Sequence, residues 1–330
     1  MKQLIPVVLV CLSTWAATPD ANFPQAEISN SVLKAKLLLP DPDHGYYRGS
    51  RFDWSGVIES VVYKGHEFFG QWFEHYDPFL HDAIMGPVEE FRGPDGAIGY
   101  DEAKPGGYFV KIGVGVLRKA DDSKYNFAGS YQLVNPGRRI VTPEHDRVVF
   151  THELNNGDGY SYVYRKIVRV QGNKPELVIE HSLKNVGKRV IDTSVYNHDF
   201  YMIDKQPSGP DFRVQFTFEP KVTVDQLNGL AEFHGDELVY KRELGGHGES
   251  IFATVNGFGD TAKDNDIIVE NPKAGAGVRE IGNRPLSLVN FWSIRSTVCP
   301  EAYIHMRVEP GKTFTWKIVY RFYTLPDKSK

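Results

Sequence analysis

The chain has 330 residues, with 38 Lys and Arg against 42 Asp and Glu and a formal net charge of −4. The basic residues are scattered rather than gathered into a stripe, which argues against a phosphate-tracking surface and against nucleic acid as a partner. Aromatic residues make up 13% of the chain; most must fill a core, but rings in a near-neutral protein can also stack on the apolar faces of sugars.

In chain order, Lys2 and the apolar run from Leu4 to Leu12, followed by small residues, read as a secretory leader. Thr14 and Ala16 supply a small-x-small pair, which places cleavage after Ala16 and gives residues 1–16 as leader and 17–330 as one mature domain. Cleavage after Ala17 is less favourable, because Trp15 would then occupy a position that wants a small side chain. The apolar run falls well short of the roughly 20 residues that span a bilayer. Cys11 follows the bulky Val8, Leu9 and Val10, which argues against lipid attachment. The expectation is a periplasmic or secreted protein, with no membrane association after leader removal. Cys299 is then the only cysteine, so no internal disulfide can stabilise the fold.

The mature chain reads as strands. Residues 57–63, 108–117, 160–170 and 176–183 alternate or cluster β-branched and aromatic side chains, and 213–218, 286–294, 303–308 and 313–322 continue the pattern. Gly, Pro, Asn and Asp gather between the runs, and no amphipathic helix stands out. Tyr160, Tyr162 and Tyr164 fall on one face of a strand. Many short strands imply an all-β sandwich or barrel, and the absence of a Pro/Ser-rich linker predicts one domain. Residues 78–107 and 225–248 are poorer in strand pattern and are expected to be long loops, while 25–30 and 327–330 are expected to fray.

Four clusters are candidates for chemistry. In YYRGSRFDWSG, Arg48 and Arg51 lie among aromatic residues, suited to hydroxyls or carboxylates beside a stacking ring; the structural alternative is that Arg51 and Asp53 pair with each other or with neighbouring strands while the aromatics fill core. DPFLHDAIMGP places His81 in a turn-rich loop. In VYNHDFYMID, His198 ends an apolar strand between Asn197 and Asp199, which would hold it in one orientation as a proton donor or acceptor. WSIRSTVCPEAYIHMRVEPG carries Glu301, either an inward-facing base or an ordinary exposed charge. There is no Walker loop, dinucleotide glycine fingerprint, G-x-S-x-G elbow or H-E-x-x-H pair. The wide spacing of His81 and His198 does not support a metal site, and no cofactor is expected.

FLHDAIMG resembles the LHGG-type loop of aldose 1-epimerases, and YNHDFY resembles their N-H-x-Y-F motif, in the same order. PGKTFTWKIVYRF is similar to the closing turn and final strand of galactose mutarotase-like proteins, and RGSRFDWSG takes the place of their early arginine-bearing strand. The resemblance spans most of the mature chain. It implies a galactose mutarotase-like β-supersandwich with a sugar groove, His198 as general acid toward the ring oxygen, and His81 as a second substrate contact. It also implies a glutamate base near residues 289–292, where this chain has Asn290, which cannot act as a base at neutral pH.

Glu301 is the provisional replacement for that base, with Arg48, Arg51, His81, Asn197, Asn290 and Trp292 as substrate-binding candidates. The function implied is mutarotation of a hexose or oligosaccharide. A silent carbohydrate-binding protein on the same scaffold and a polysaccharide lyase relative are the alternatives.

Overall fold

The computed structural model describes residues 23–93, 96–156, 159–246 and 248–326. The expected leader 1–16, with Cys11, and residues 327–330 lie outside them. Among the described residues the regular structure is antiparallel strand, with two short 3-10 turns at Ile203–Lys205 and Ala262–Asp264.

Two large sheets form the body. The ten-stranded sheet runs in space as Ala231–His234, Glu237–Tyr240, Arg213–Phe216, Asp266–Asn271, Ala276–Gly282, Thr313–Thr324, Glu176–Asn185, Tyr162–Val170, Arg147–Leu154 and Arg138–Pro143. The six-stranded sheet runs as Lys221–Gln226, Ser250–Asn256, Leu288–Ile294, Thr297–Val308, Ile191–His198 and Val88–Phe91. A four-stranded sheet (Gln25–Ser29, Leu33–Leu38, Val57–Tyr63, His66–Glu67) and a three-stranded sheet (Tyr108–Lys111, Gly115–Arg118, Leu133–Asn135) complete the described strands.

Period-two alternation sends successive side chains to opposite faces. One set from the six-stranded sheet, including Val289, Phe291, Val298 and Ala302, packs with Val269, Val278, Tyr320 and Phe322 of the ten-stranded sheet in the largest apolar cluster. Full burial of such a side chain is worth about 1.5–3 kcal/mol. The opposite face of the six-stranded sheet carries polar and aromatic groups under the long loops, and there the candidate site lies.

Four expectations need correction. The run 108–117 is two strands, because Gly113 adopts φ 82°, a left-handed conformation that turns the chain between them. The expected fraying at 25–30 is instead largely the strand Gln25–Ser29, paired residue for residue with 34–38 of the next strand, whose backbone hydrogen bonds hold it despite its polar side chains. The expected loop 78–107 contains the strand Val88–Phe91, every residue of which is buried. The expected loop 225–248 contains Ala231–His234 and Glu237–Tyr240, a hairpin at the edge of the large sheet. Charged side chains concealed the strand Val88–Phe91: Glu89 and Glu90 are satisfied by buried cations rather than by water.

Candidate active site

Strand pairing builds the site. Ile191–His198 lies between Val88–Phe91 and Thr297–Val308, with Tyr196 opposite Glu90 and His198 opposite Val88. On the far side of Thr297–Val308, Leu288–Ile294 sets Asn290 directly across from Glu301. Cross-strand partners share a face. A carboxylate, Glu301, therefore stands one strand away from Asn290, the amide at the position where the resemblance implies a glutamate.

His198 Nε2 lies 3.3 Å from Glu301 Oε1, and both residues are nearly closed to solvent, at 4% and 5% exposure. Asn290 Nδ2 and the Tyr303 hydroxyl donate to Glu301 Oε2 over 3.4 and 3.3 Å. Thr254 Oγ1 donates to Asn290 Oδ1 at 2.8 Å, which turns the amide's NH₂ toward the carboxyl group. Rings orient the imidazole. Phe200 stacks on it at 3.8 Å, and Trp292 and Phe52 meet it edge-on at 5.5 and 5.8 Å.

Beside this pair, three cations surround Glu90. Arg51 Nε donates to Oε2 at 2.8 Å, Lys111 Nζ donates to Oε1 at 3.1 Å, and Arg92 Nε stands 3.9 Å from Oε1. The Tyr196 hydroxyl donates to Glu90 Oε2 at 2.6 Å and accepts from Arg51 Nη2 at 3.2 Å. Phe127 lies over Arg51 and Arg92, at 4.5 and 5.0 Å from the guanidinium carbons.

Burial dominates the electrostatics. It pushes the Glu301 carboxyl up to about 7, against the pull of Arg51 and Arg92. It also holds the His198 imidazole well below its usual range, helped by repulsion from Arg51. Burial opposes ionisation of Glu90 too, but there Arg51, then Lys111 and Arg92, prevail and hold the carboxyl well below its ordinary value. In neutral solution Glu90 is therefore a fixed anion, while Glu301 is partly protonated beside a neutral His198.

No family model matches the chain, and no curated protein matches it by sequence. Solved structures do match. A galactose mutarotase related enzyme from Lactobacillus acidophilus superposes with a TM-score of 0.53 at 13% identity, covering 92% of this chain and 98% of that one. An aldose epimerase homologue from C. elegans gives 0.54 at 14% identity, covering 92% and 99%. A galactose mutarotase-like protein from Lactobacillus casei gives 0.51 at 11%, covering 91% and 100%.

The chain has the galactose mutarotase-like fold.

On this galactose mutarotase-like scaffold, His198, Glu301, Asn290 and Trp292 form one group. Arg51 joins it through Glu90 and Tyr196, and it does not pair with Asp53, whose Oδ1 accepts the Ser55 N–H. His81 is half-buried at the edge of the group, its ring centroid 6.2 Å from that of Phe127 and its Nε2 3.6 Å from Asp82. Arg48 is held elsewhere, donating to the Asp43 carbonyl at 2.8 Å and lying over Phe79.

Asn197 and Asp199 do not orient His198. Strand alternation turns Asn197 to the opposite face, where its Nδ2 donates to the Tyr320 hydroxyl, which itself donates to Asp199. His198 Nδ1 has no hydrogen-bond partner. Sequence reading missed Glu90, Arg92, Lys111, Tyr196, Tyr303 and Phe127. Their elements read as loop or as ordinary core strand, and only the tertiary structure brings them together around Glu90 and Glu301.

Proposed function

We propose that the chain interconverts sugar anomers as an exported, aldose 1-epimerase-like enzyme. The observation that carries this reading is the 3.3 Å approach of His198 Nε2 to Glu301 Oε1 in a desolvated, ring-walled site. The anomeric hydroxyl and the ring oxygen of a pyranose are bonded to the same carbon. An acid and a base that serve them must therefore lie close together, and two groups at this separation can each reach one oxygen.

Burial favours the uncharged form of both groups, and the roles follow from that. Glu301, protonated, gives its proton to the ring oxygen as the C1–O5 bond breaks, and neutral His198 takes the proton of the anomeric hydroxyl, leaving an open-chain aldehyde. Rotation about C1–C2 presents the other face. The ring oxygen then returns its proton to Glu301 as it attacks C1, and His198 returns its proton to O1. This reverses the roles first implied for the two residues. Arg51 and His81, beside the pair, are the candidates for positioning hydroxyls, and the neighbours' names make a sugar the expected partner.

The test is polarimetry of freshly dissolved α-glucose and α-galactose with the purified protein and with His198→Ala. The expected result is acceleration by the wild type that falls by about 10²–10⁴ in the variant. Acceleration by neither protein, with sugar binding retained, would establish a carbohydrate-binding protein instead.

A further inference from the structure

The acid–base pair is covered. His198 and Glu301 are 4% and 5% exposed, yet a sugar that reacts between them must touch both. Some group over the pair therefore moves when a substrate enters. Phe52, Phe200, Tyr196 and Tyr303 surround the pair but are themselves buried, and the two tyrosines stand on paired strands. Displacing any of them would open close-packed core.

Phe127 is placed differently. It is 40% exposed on a turn, with its ring over the guanidinium carbons of Arg51 and Arg92 at 4.5 and 5.0 Å and edge-on to His81. Both arginines lead to the pair. Arg51 donates to the Tyr196 hydroxyl, whose ring lies 5.9 Å from that of His198, and Arg92 donates to the Tyr303 hydroxyl, which itself donates to Glu301. Phe127 also lines a cleft of about 850 Å³ together with Arg92 and Tyr303. Its ring thus stands at the boundary between the open cleft and the covered pair.

The turn is anchored at its stem. Tyr125 and Tyr131 stack at 5.7 Å with their planes 4° apart, Lys111 donates to the Tyr125 hydroxyl at 3.1 Å, and Ser50 Oγ donates to the Gly129 carbonyl at 3.0 Å. The tip is held by local bonds, with the Asn126 N–H donating to the Tyr131 hydroxyl and the Ala128 N–H to Asn126 Oδ1. Rotation of the Phe127 side chain leaves every one of these in place. What the rotation gives up is cation–π contact at a partly exposed position, weak enough to be made and broken in each turnover.

We propose that Phe127 is the gate of the site: its ring turns off the two arginines to admit a sugar, then covers the bound sugar from the cleft side with an apolar face. The proposal rests on the epimerase reading for what is admitted, while the gating rests on the geometry of the cover.

The test compares the wild type, Phe127→Ala and Phe127→Tyr by carbethoxylation with diethyl pyrocarbonate, read at each histidine by peptide mass spectrometry, and by polarimetric kinetics. His198 should react about tenfold or more faster in Phe127→Ala than in the wild type, as expected when an open minor state becomes the main one. Phe127→Tyr, which keeps a ring over the arginines, should retain most of the protection. His181, whose side chain is closed to solvent, should stay equally unreactive in all three and so separates opening of the gate from loosening of the fold. KM for mutarotation should rise about two- to ten-fold in Phe127→Ala while kcat holds, the loss of one ring contact made alike in ground and transition states. Equal reaction of His198 in the wild type and Phe127→Ala, a matching rise at His181, or an unchanged KM would overturn the proposal. No mutarotation by the wild type, with the difference at His198 intact, would overturn the epimerase reading and leave the gate standing; mutarotation with equal reaction at His198 would do the reverse.

Discussion

Glu301 shows how far one side chain's chemistry depends on its surroundings. In the sequence it follows Pro300 in a charged stretch and has the look of a surface residue. In the sheet it is removed from water and faces a histidine, an amide and a phenol. Because burial raises its pKa to about 7 and depresses that of His198, the pair holds a single proton below about pH 7. The rate should therefore be level in mildly acid solution and fall as pH rises through about 7, where Glu301 loses the proton destined for the ring oxygen. At the acid end it should fall only when His198 becomes protonated, well below the usual histidine range. A kcat/KM profile from polarimetry, corrected for buffer catalysis, checks this; a rate that climbs through pH 7 to an alkaline plateau would make ionised Glu301 the initiating base. Glu301→Gln should remove the alkaline limb and lower the rate by about 10²–10⁴.

The loop ending at Gly86 and the strand that follows carry the site as a unit. A Cβ on Gly86 would overlap the carbonyl oxygens of His198 and Asp199, so glycine is what lets this segment lie against the backbone of the acid–base strand. Gly86→Ala should thus destabilise the protein by about 1–3 kcal/mol and depress activity through displacement of His198. Gly246→Ala, with nothing within 4 Å of the added methyl and no left-handed φ, should change stability by less than about 0.5 kcal/mol. Denaturant titration of both variants decides; equal stability would show that the loop moves away freely. This element also marks a limit of sequence reading. The histidine motif and the Met-Gly-Pro turn were legible because their residue types are unusual in a strand-and-turn pattern. Val88–Phe91 was not, because two adjacent glutamates look solvated until Arg51, Lys111 and Lys166 are known to be beside them.

Across the whole molecule, the space between the two large sheets holds ionisable groups with opposite responses to pH. Glu89 contacts Lys166 and receives His181 Nε2 at 2.7 Å; although burial opposes its ionisation, the lysine and histidine hold it down to about 2. Its contribution is present above the ordinary carboxylate value and is lost as pH falls toward 2. Glu280, near Asp199 and accepting from Tyr201, is pushed up to about 7 by burial, and Glu301 shifts the same way. Such groups stabilise the fold below their unfolded pKa, and that contribution is lost as pH rises through about 7. The thermal midpoint of the wild type should therefore fall between pH 5 and 8 by more than that of Glu280→Gln, which lacks one of the titrating groups. Scanning calorimetry at both pH values tests it; equal falls in the two proteins would remove Glu280 from the account.

The sequence alone determined that the chain is built from strands, that its fold resembles the galactose mutarotases, and that His198 ends a strand, because alternation, turn residues and short motifs are local properties. Tertiary structure alone decided that Glu301 faces His198 from the strand neighbouring Asn290, that Asn197 faces away, and that three cations crowd one glutamate. Strand register and sheet order are set by packing between residues from a few to more than a hundred positions apart, and no local pattern encodes which side chains will meet across it.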